Sequence, residues 1–391
     1  MFTEKLALQL ANLKQQGLYR SHQVIDSPQG IQLLIQGSQI INFCSNDYLG
    51  LANDPQIIQA LQQGSNTYGV GSGSAHLICG HSRAHYLLEQ ELAEFTGRER
   101  ALLFSTGYMA NLGIISALIG KNDFIFEDKL NHASLLDGGL LSAATFKRYR
   151  HLNIEQLIVQ LNQSQGEKLI VTDGVFSMDG DFAPLPDLVK IARDYSAILM
   201  VDDAHGFGVL GENGGGISEY YQLNAEQLPI LMGTLGKAVG TFGAFVAGSE
   251  LLIETLIQKS RSYIYTTAFP AAIAEATRCS LRLIKQQSWR RLRLQSLIHY
   301  FRNCARELEL PVMDSISAIQ PILIGDNFHA LKISQQLLEL GFLVTAIRPP
   351  TVPKNQARLR ITLSALHSES QIEQLLTAIH HCYHQLFKEI R

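Results

Sequence analysis

Short apolar runs, each closed by Gly, Ser, Asp or Asn and followed by a helix-length amphipathic stretch, recur along the chain from about residue 53. They fall at 101–104, 123–126, 169–172, 198–201, 230–232 and 244–247. Strands alternating with helices predict a mostly parallel sheet wrapped by helices. Ahead of this pattern, Leu6, Leu10, Leu13 and Leu18 recur at helical intervals over residues 1–22, and 32–42 reads as one or two short strands. Behind it, the Leu- and Arg-rich region 251–310 reads as helical. After Pro311 strands are expected near 318–324, 344–347 and 359–362, interleaved with two amphipathic helices. The expected division is an N-terminal helix and strand segment (1–45), a large α/β domain (46–290) and a small C-terminal α+β domain (291–391).

Composition narrows the class. Of 391 residues, 32 are Lys or Arg and 35 Asp or Glu, a formal net charge of −3 without the basic stripe of a nucleic-acid protein. The hydrophobic fraction of 46% is too high for a disordered chain. Charged residues make up only 17%, against roughly 25% in an average soluble domain. A large core or a face covered by a second subunit accounts for that deficit. The five cysteines (Cys44, Cys79, Cys279, Cys304, Cys382) form no CxxC pair, so a reducing compartment is expected. The N-terminus lacks the pattern of a secretory signal and no apolar stretch reaches the ~18 residues that cross a bilayer, so the expected location is the cytoplasm.

The chemistry gathers where the apolar runs end, the edge at which open α/β sheets bind ligands. In order these ends read Ser105-Thr106-Gly107-Tyr108, then 172–180, Asp202-Asp203-Ala204-His205-Gly206 and Gly233-Thr234-Leu235-Gly236-Lys237. A phosphate-binding GxxxxGK[ST] loop is excluded at the lysine, because Leu231 and Ala238 stand where it needs Gly and Ser or Thr. The stretch Gly69-Val70-Gly71-Ser72-Gly73-Ser74 lacks the third glycine of a dinucleotide fingerprint. What remains for Lys237 is an amine that forms a Schiff base with a carbonyl. Asp202, at the end of an apolar run, needs a cationic partner if buried, and a protonated pyridine nitrogen is one. A helix N-cap or a metal ligand is the alternative for Asp202. His205, three residues on, is placed either to hydrogen-bond a ring hydroxyl or to stack near the ring.

These segments, with Ser45-Asn46-Asp47-Tyr48-Leu49-Gly50-Leu51, the glycine-rich 69–80, Leu130-Asn131-His132-Ala133-Ser134 and 173–181, resemble the α-oxoamine synthases. The likeness runs from Arg20 to about His367. It departs at Ser74, His76 and Ala238, where relatives often carry other residues. It implies a pyridoxal 5'-phosphate (PLP) enzyme of fold type I, with a mostly parallel seven-stranded sheet in the large domain. It also implies that Lys237 binds the cofactor and moves the α-proton, and that Asp202 pairs with the pyridine nitrogen. By the same likeness Ser177 and His205 contact the ring oxygen and His132 stacks on the ring and touches substrate. Gly107 and Tyr108 offer backbone N–H groups to the phosphate, Thr234 adds a hydroxyl, and Thr266 or Thr267 reaches it from the partner subunit of a homodimer with its active site at the interface.

The family joins an amino acid to an acyl thioester with loss of CO2. The stretch 344–353 resembles members of the family that use L-alanine, and that resemblance implies L-alanine and a pimeloyl thioester of coenzyme A or acyl carrier protein as substrates. Arg348 is then expected at the amino acid's carboxylate with help from Asn46, and Arg20 and Thr351 near the acyl substrate. Glycine- or serine-using sister enzymes and a PLP aminotransferase are the alternatives. No metal is expected: His380, His381, Cys382 and His384 sit on a terminal helix without an enclosing site, and His81 and His85 read as a surface or interface pair.

Overall fold

The computed structural model describes residues 1–389. Its strands are β1 (Gln32–Ile35), β2 (Ser38–Asn42), β3 (Arg100–Phe104), β4 (Phe124–Asp128), β5 (Thr145–Tyr149), β6 (Lys168–Asp173), β7 (Ile198–Asp202), β8 (Ile230–Thr234), β9 (Ala244–Gly248), β10 (Ile319–Gly325), β11 (Phe342–Leu343), β12 (Thr345–Ile347) and β13 (Ala357–Thr362). The first five α-helices are α1 (Phe2–Gln15), α2 (Pro55–Tyr68), α3 (Arg83–Thr96), α4 (Gly107–Leu118) and α5 (Ala133–Leu141). The chain divides into two compact units, one of residues 51–177 and 182–291, the other of residues 1–50, 178–181 and 292–391.

The larger unit carries a seven-stranded sheet in the order β3-β9-β8-β7-β6-β4-β5. Only β9 runs against the others, pairing antiparallel with both β3 and β8. Central strands enclosed on both faces have no reason to alternate, and β6, β7 and β8 are apolar runs buried almost throughout. Ile114, Ile115, Ile125, Leu135, Val171, Met200 and Val246 belong to the resulting core, which joins the sheet to α4 and α5. The sequence pattern misses β5, because Lys147 and Arg148 interrupt it; an edge strand paired only with β4 tolerates them. The region 251–310, read as helical, breaks into four helices, with non-helical residues at 266–270 ending at Pro270.

The smaller unit holds two three-stranded sheets, β1-β2-β11 and β10-β13-β12. Here the expected domain boundaries change. Residues 1–45 are not a segment of their own, since β11 pairs in parallel with β2 (Phe342 with Ile41, Leu343 with Asn42). Residues 178–181 also belong to this unit, through the Asp179–Arg358 ion pair and Gly180, whose carbonyl accepts from Ser315 Oγ at 2.9 Å. A side chain at Gly180 would lie 2.4 Å from that Oγ, and φ is +74° there. The last two residues of the expected C-terminal domain, Ile390 and Arg391, lie outside the described residues. α1 forms where the leucine spacing predicts a helix, but it buries none of its residues.

His367 shows how tightly the smaller unit is built. Its Nδ1 accepts the Ser364 N–H at 2.9 Å, its Nε2 donates to Asn42 O at 3.0 Å, and its ring stacks on Phe43 with centroids 4.2 Å apart. Protonation at Nδ1 would break the first bond, and burial pushes the group down to about 4. Between pH 6.5 and 4 the unfolded chain therefore binds a proton that the folded chain refuses, so stability falls as pH drops through that window. The loss approaches about 3 kcal/mol at its acid end. Denaturant titrations across pH should show this slope in the native chain and a flatter profile in His367→Gln.

Candidate active site

Parallel strands end at one edge of the sheet, and this register brings the larger unit's chemistry together. β6 and β7 terminate side by side, with Asp173 paired opposite Asp202, and β8 ends next to them at Thr234. Lys237, on the loop after β8, places its Nζ 2.8 Å from Nε2 of His205 on the loop after β7. Asp202 is 4% exposed, and its carboxylate is met only by donors: Asn111 Nδ2 at 2.7 Å and the Ala204 N–H at 2.9 Å. The nearest reading of the N-cap alternative is this local turn to Ala204. Among the described residues, no cluster of three potential metal ligands includes Asp202.

His132 lies across this edge, on the connection after β4, and caps α5: its Nδ1 accepts the Ser134 N–H at 3.3 Å and lies 2.7 Å from Ser134 Oγ. Its own N–H is held by Asp173 Oδ2 at 2.7 Å, and the Tyr108 ring stands edge-on to it with centroids 6.4 Å apart. Burial pushes the His132 imidazole below the ordinary histidine range, Asp202 and Asp137 oppose the shift and Lys237 adds to it. Ser177 is half-buried on the loop after β6, which the Val175–Phe182 bridge closes.

On the far side of the sheet's edge, Thr106 caps α4 by accepting the Met109 N–H at 3.2 Å. Gly107 and Tyr108 supply the first N–H groups of that helix, where the dipole favours an anion. A methyl group on Gly107 would meet only Met232 Cε, at an ordinary 3.5 Å, so the space over this turn is open. Thr234 Oγ1 donates to Gly243 O at 3.2 Å. Thr266 and Thr267 line a small hollow with His76 and Ser105 of their own chain, and Thr267 bridges Ala75.

In the smaller unit Arg20, Arg348 and Thr351 line one cavity of about 360 Å³. Burial lowers the Arg348 guanidinium, and neighbouring Arg20 lowers it further. Among the described residues neither arginine has an acidic partner, so the cavity suits a carboxylate. Asn46 does not line it; its Oδ1 accepts from Tyr48 Oη at 3.2 Å and Arg360 Nη2 at 3.1 Å. Arg360, 7% exposed, is a cation that sequence reasoning passed over, as it did Asn111, Ser134 and Asp173. Asn111 alone left a signal, as the one carboxamide on a mostly apolar α4.

Of the two histidines read as a surface or interface pair, His81 keeps part of its surface and His85 keeps none. His85 is fully buried and closes a capping box with Ser82, its Nε2 lying 2.8 Å from Phe269 O. His76 stacks on Tyr263 and His81 joins it at 2.9 Å between Nδ1 atoms. Although these three cluster, both nitrogens of His85 are already committed. On the terminal helix the rings of His380 and His384 lie 4.3 Å apart, whereas Cys382 is buried, turned away from them.

The residues present fit PLP: a buried carboxylate for a pyridinium nitrogen, an amine beside it for the aldehyde, an exposed imidazole for the ring face and an open helix N-terminus for the phosphate. Comparison with known proteins points the same way. The sequence profile of the aminotransferase class I and II family matches residues 38–379. The 8-amino-7-oxononanoate synthase of Methylococcus capsulatus is 59% identical over 95% of this chain and 96% of its own. That of Pseudomonas putida is 57% identical over 97% and 98%. Among solved structures, serine palmitoyltransferase from S. paucimobilis, with PLP and myriocin bound, superposes with a TM-score of 0.93 at 31% identity, covering 98% of this chain and 97% of the other. The 8-amino-7-oxononanoate synthase of Francisella tularensis gives 0.79 at 35% identity, covering 90% and 99%.

The loop that carries His205 is anchored by Asp203, which has no solvent-exposed surface and accepts the Ile217 N–H at 2.7 Å. Burial raises the Asp203 carboxyl well above the usual carboxylate range, with Asp202 adding to it. A carboxyl that holds its proton more tightly in the folded chain than in the unfolded one makes stability decline as pH rises above the unfolded value. Asp203→Asn, which keeps the acceptor, should therefore change stability little near pH 5 and gain relative to the native chain at pH 8. Gly216→Ala is expected to destabilise by about 3 kcal/mol, since φ is +82° and the new methyl would lie 1.9 Å from Asp203 Oδ2. Thermal melts of both variants at pH 5 and pH 8 test this.

Proposed function

We infer the reaction from the premise that this chain belongs to the aminotransferase class I and II family and, within it, to the 8-amino-7-oxononanoate synthases. It is a PLP-dependent acyltransferase of biotin biosynthesis. It condenses L-alanine with a pimeloyl thioester of acyl carrier protein or coenzyme A, releasing CO2, the free thiol and 8-amino-7-oxononanoate. The observation that carries the reading is the trio at the strand ends, Lys237 with His205 at 2.8 Å and the buried Asp202.

PLP supplies an electron sink that stabilises negative charge at the amino acid's Cα. Lys237 anchors the cofactor and, through Nζ, takes and returns the proton at that carbon. His205 orients the Lys237 amine and, with Ser177, would meet the ring oxygen. Asp202 holds the proton on the pyridine nitrogen, and Asn111 and Ala204 keep its carboxylate fixed for that task. His132 would cover one face of the ring, and Gly107, Tyr108 and Thr234 would hold the phosphate, with Thr266 or Thr267 of a second copy. Arg348 binds alanine's carboxylate, and Arg20 and Thr351 bind the acyl substrate. In this assignment Asn46 acts on the carboxylate only through its remaining amide donors, because its oxygen is taken.

A homodimer is part of the proposal. Val70, Ile78 and Tyr265 are 86%, 79% and 72% exposed around the glycine-rich loop and Thr266. A second copy over this face would also explain the low charged fraction. The cytoplasm is the proposed location, in keeping with five free cysteines; no helix among the described residues is long and apolar enough to cross a membrane.

Four measurements test the reading. The protein with PLP should absorb in the visible range, borohydride should bleach it, and Lys237→Ala should lose both the band and turnover. L-Alanine with pimeloyl-CoA should release CO2; preference for glycine with acetyl-CoA, or amino-group exchange with a 2-oxo acid, would overturn the substrate assignment. Arg348→Ala should raise KM for alanine about tenfold to a hundredfold, whereas Arg20→Ala should act on KM for the thioester. Sedimentation should give twice the 43.3 kDa chain mass, and Ile78→Asp should shift it toward monomer.

A further inference from the structure

Asn111, on α4, and Ser134, in the first turn of α5, are both fully buried, and the assignment of roles above uses neither at His132. They form one hydrogen-bonded line from Asp202 to His132. Asn111 Nδ2 lies 2.7 Å from Asp202 Oδ2 and 2.9 Å from Ser134 Oγ, and that Oγ lies 2.7 Å from His132 Nδ1. We propose that Asn111 and Ser134 are positioning residues that lock His132 as the Nε2–H tautomer, so that the imidazole meets substrate as a neutral hydrogen-bond donor and not as a base at that nitrogen. The part of this that concerns substrate rests on the function proposed above; the tautomer does not.

The direction of every proton in the line follows from its fixed end. A carboxylate offers only acceptors, so the Asn111 amide must turn its NH2 toward Asp202, leaving its own oxygen without a partner among the described residues. The second hydrogen of that NH2 goes to Ser134 Oγ. With Oγ accepting there, the one hydroxyl hydrogen is left to donate, and His132 Nδ1 is its acceptor. The Ser134 backbone N–H, 3.3 Å away, points at the same nitrogen. A hydrogen on Nδ1 would face the backbone donor and strand a buried hydroxyl hydrogen, at a cost comparable to a lost hydrogen bond. The proton of the neutral ring therefore sits on Nε2.

The surroundings add to this. His132 is the N-cap of α5, where the helix dipole disfavours a cation. The charged groups that act on it are Asp202 and Asp137, which favour a charged ring, and Lys237, which opposes it; Asp173 is taken up with the His132 backbone N–H and Tyr108 presents only its ring edge. Because the line begins at Asp202, the group assigned to the pyridine nitrogen and the group assigned to the ring face share one amide.

The test is ring-15N histidine NMR of the full chain, with and without PLP, His132 being assigned by the signals missing in His132→Gln. The expected spectrum shows Nδ1 unprotonated and Nε2 protonated from pH 6 to pH 9. Ser134→Ala should mix the tautomers and move the His132 titration to higher pH, and Ser134→Thr, which keeps the hydroxyl, should restore the single form. A proton on Nδ1 or a charged ring at pH 7 in the native chain would overturn the proposal, as would an unchanged tautomer in Ser134→Ala. Visible absorbance and CO2 release from alanine in the same native sample report on the proposed function separately: their absence sinks that reading and leaves the tautomer result standing.

Discussion

A carboxylate taken out of water at the end of a strand must be answered by donors, and much of the larger unit is arranged around the answer at Asp202. Its two oxygens are met by a side-chain amide from α4 and a backbone N–H two residues ahead. For the amide to reach it, α4 must lie against the sheet with Asn111 inward among Ala110, Ile114 and Ile115. The same helix then points its N-terminus over the sheet edge. One buried charge thereby sets the depth of α4 and, with it, the place where an anion would be held.

Asp173 and Asp203 carry the same constraint further. Three acids within two adjacent strand ends cannot all hold a charge cheaply. Burial raises Asp173 and Asp203 well above the ordinary range. Each is used mechanically, as an acceptor for a backbone N–H: His132 in one case, Ile217 in the other. The neighbours of Asp202 are thus fasteners for the two loops that carry His132 and His205.

Much of this was legible in the sequence. The enclosed strands β3, β4, β6, β7, β8 and β9 announce themselves as apolar runs because burial on both faces leaves no room for polarity. Lys237, Asp202 and His205 stand out because titratable residues at such ends need a reason. What escaped detection has a common physical cause. β5 is a polar edge strand, and Ser134 and Asp173 act through atoms that any serine or aspartate would offer, so only geometry distinguishes them. The domain boundaries failed because hydropathy reports that a strand exists and not whom it pairs with: β2 finds its parallel partner in β11, far down the chain.

That pairing bears on how the protein comes into being. Ile41 and Phe342 lie about 300 residues apart, so β2 leaves the ribosome long before the strand that covers it exists. Until then Leu33, Ile35 and Ile40, which end up buried together, stay open to solvent on a hairpin with a bare edge. The larger unit has all its strands once residue 248 is made and can condense first. The smaller one is a clasp whose first half waits for its last. Its residence as an unfinished sheet lengthens with every slow codon between, and that interval is when the chain is most exposed to aggregation and most in need of a chaperone.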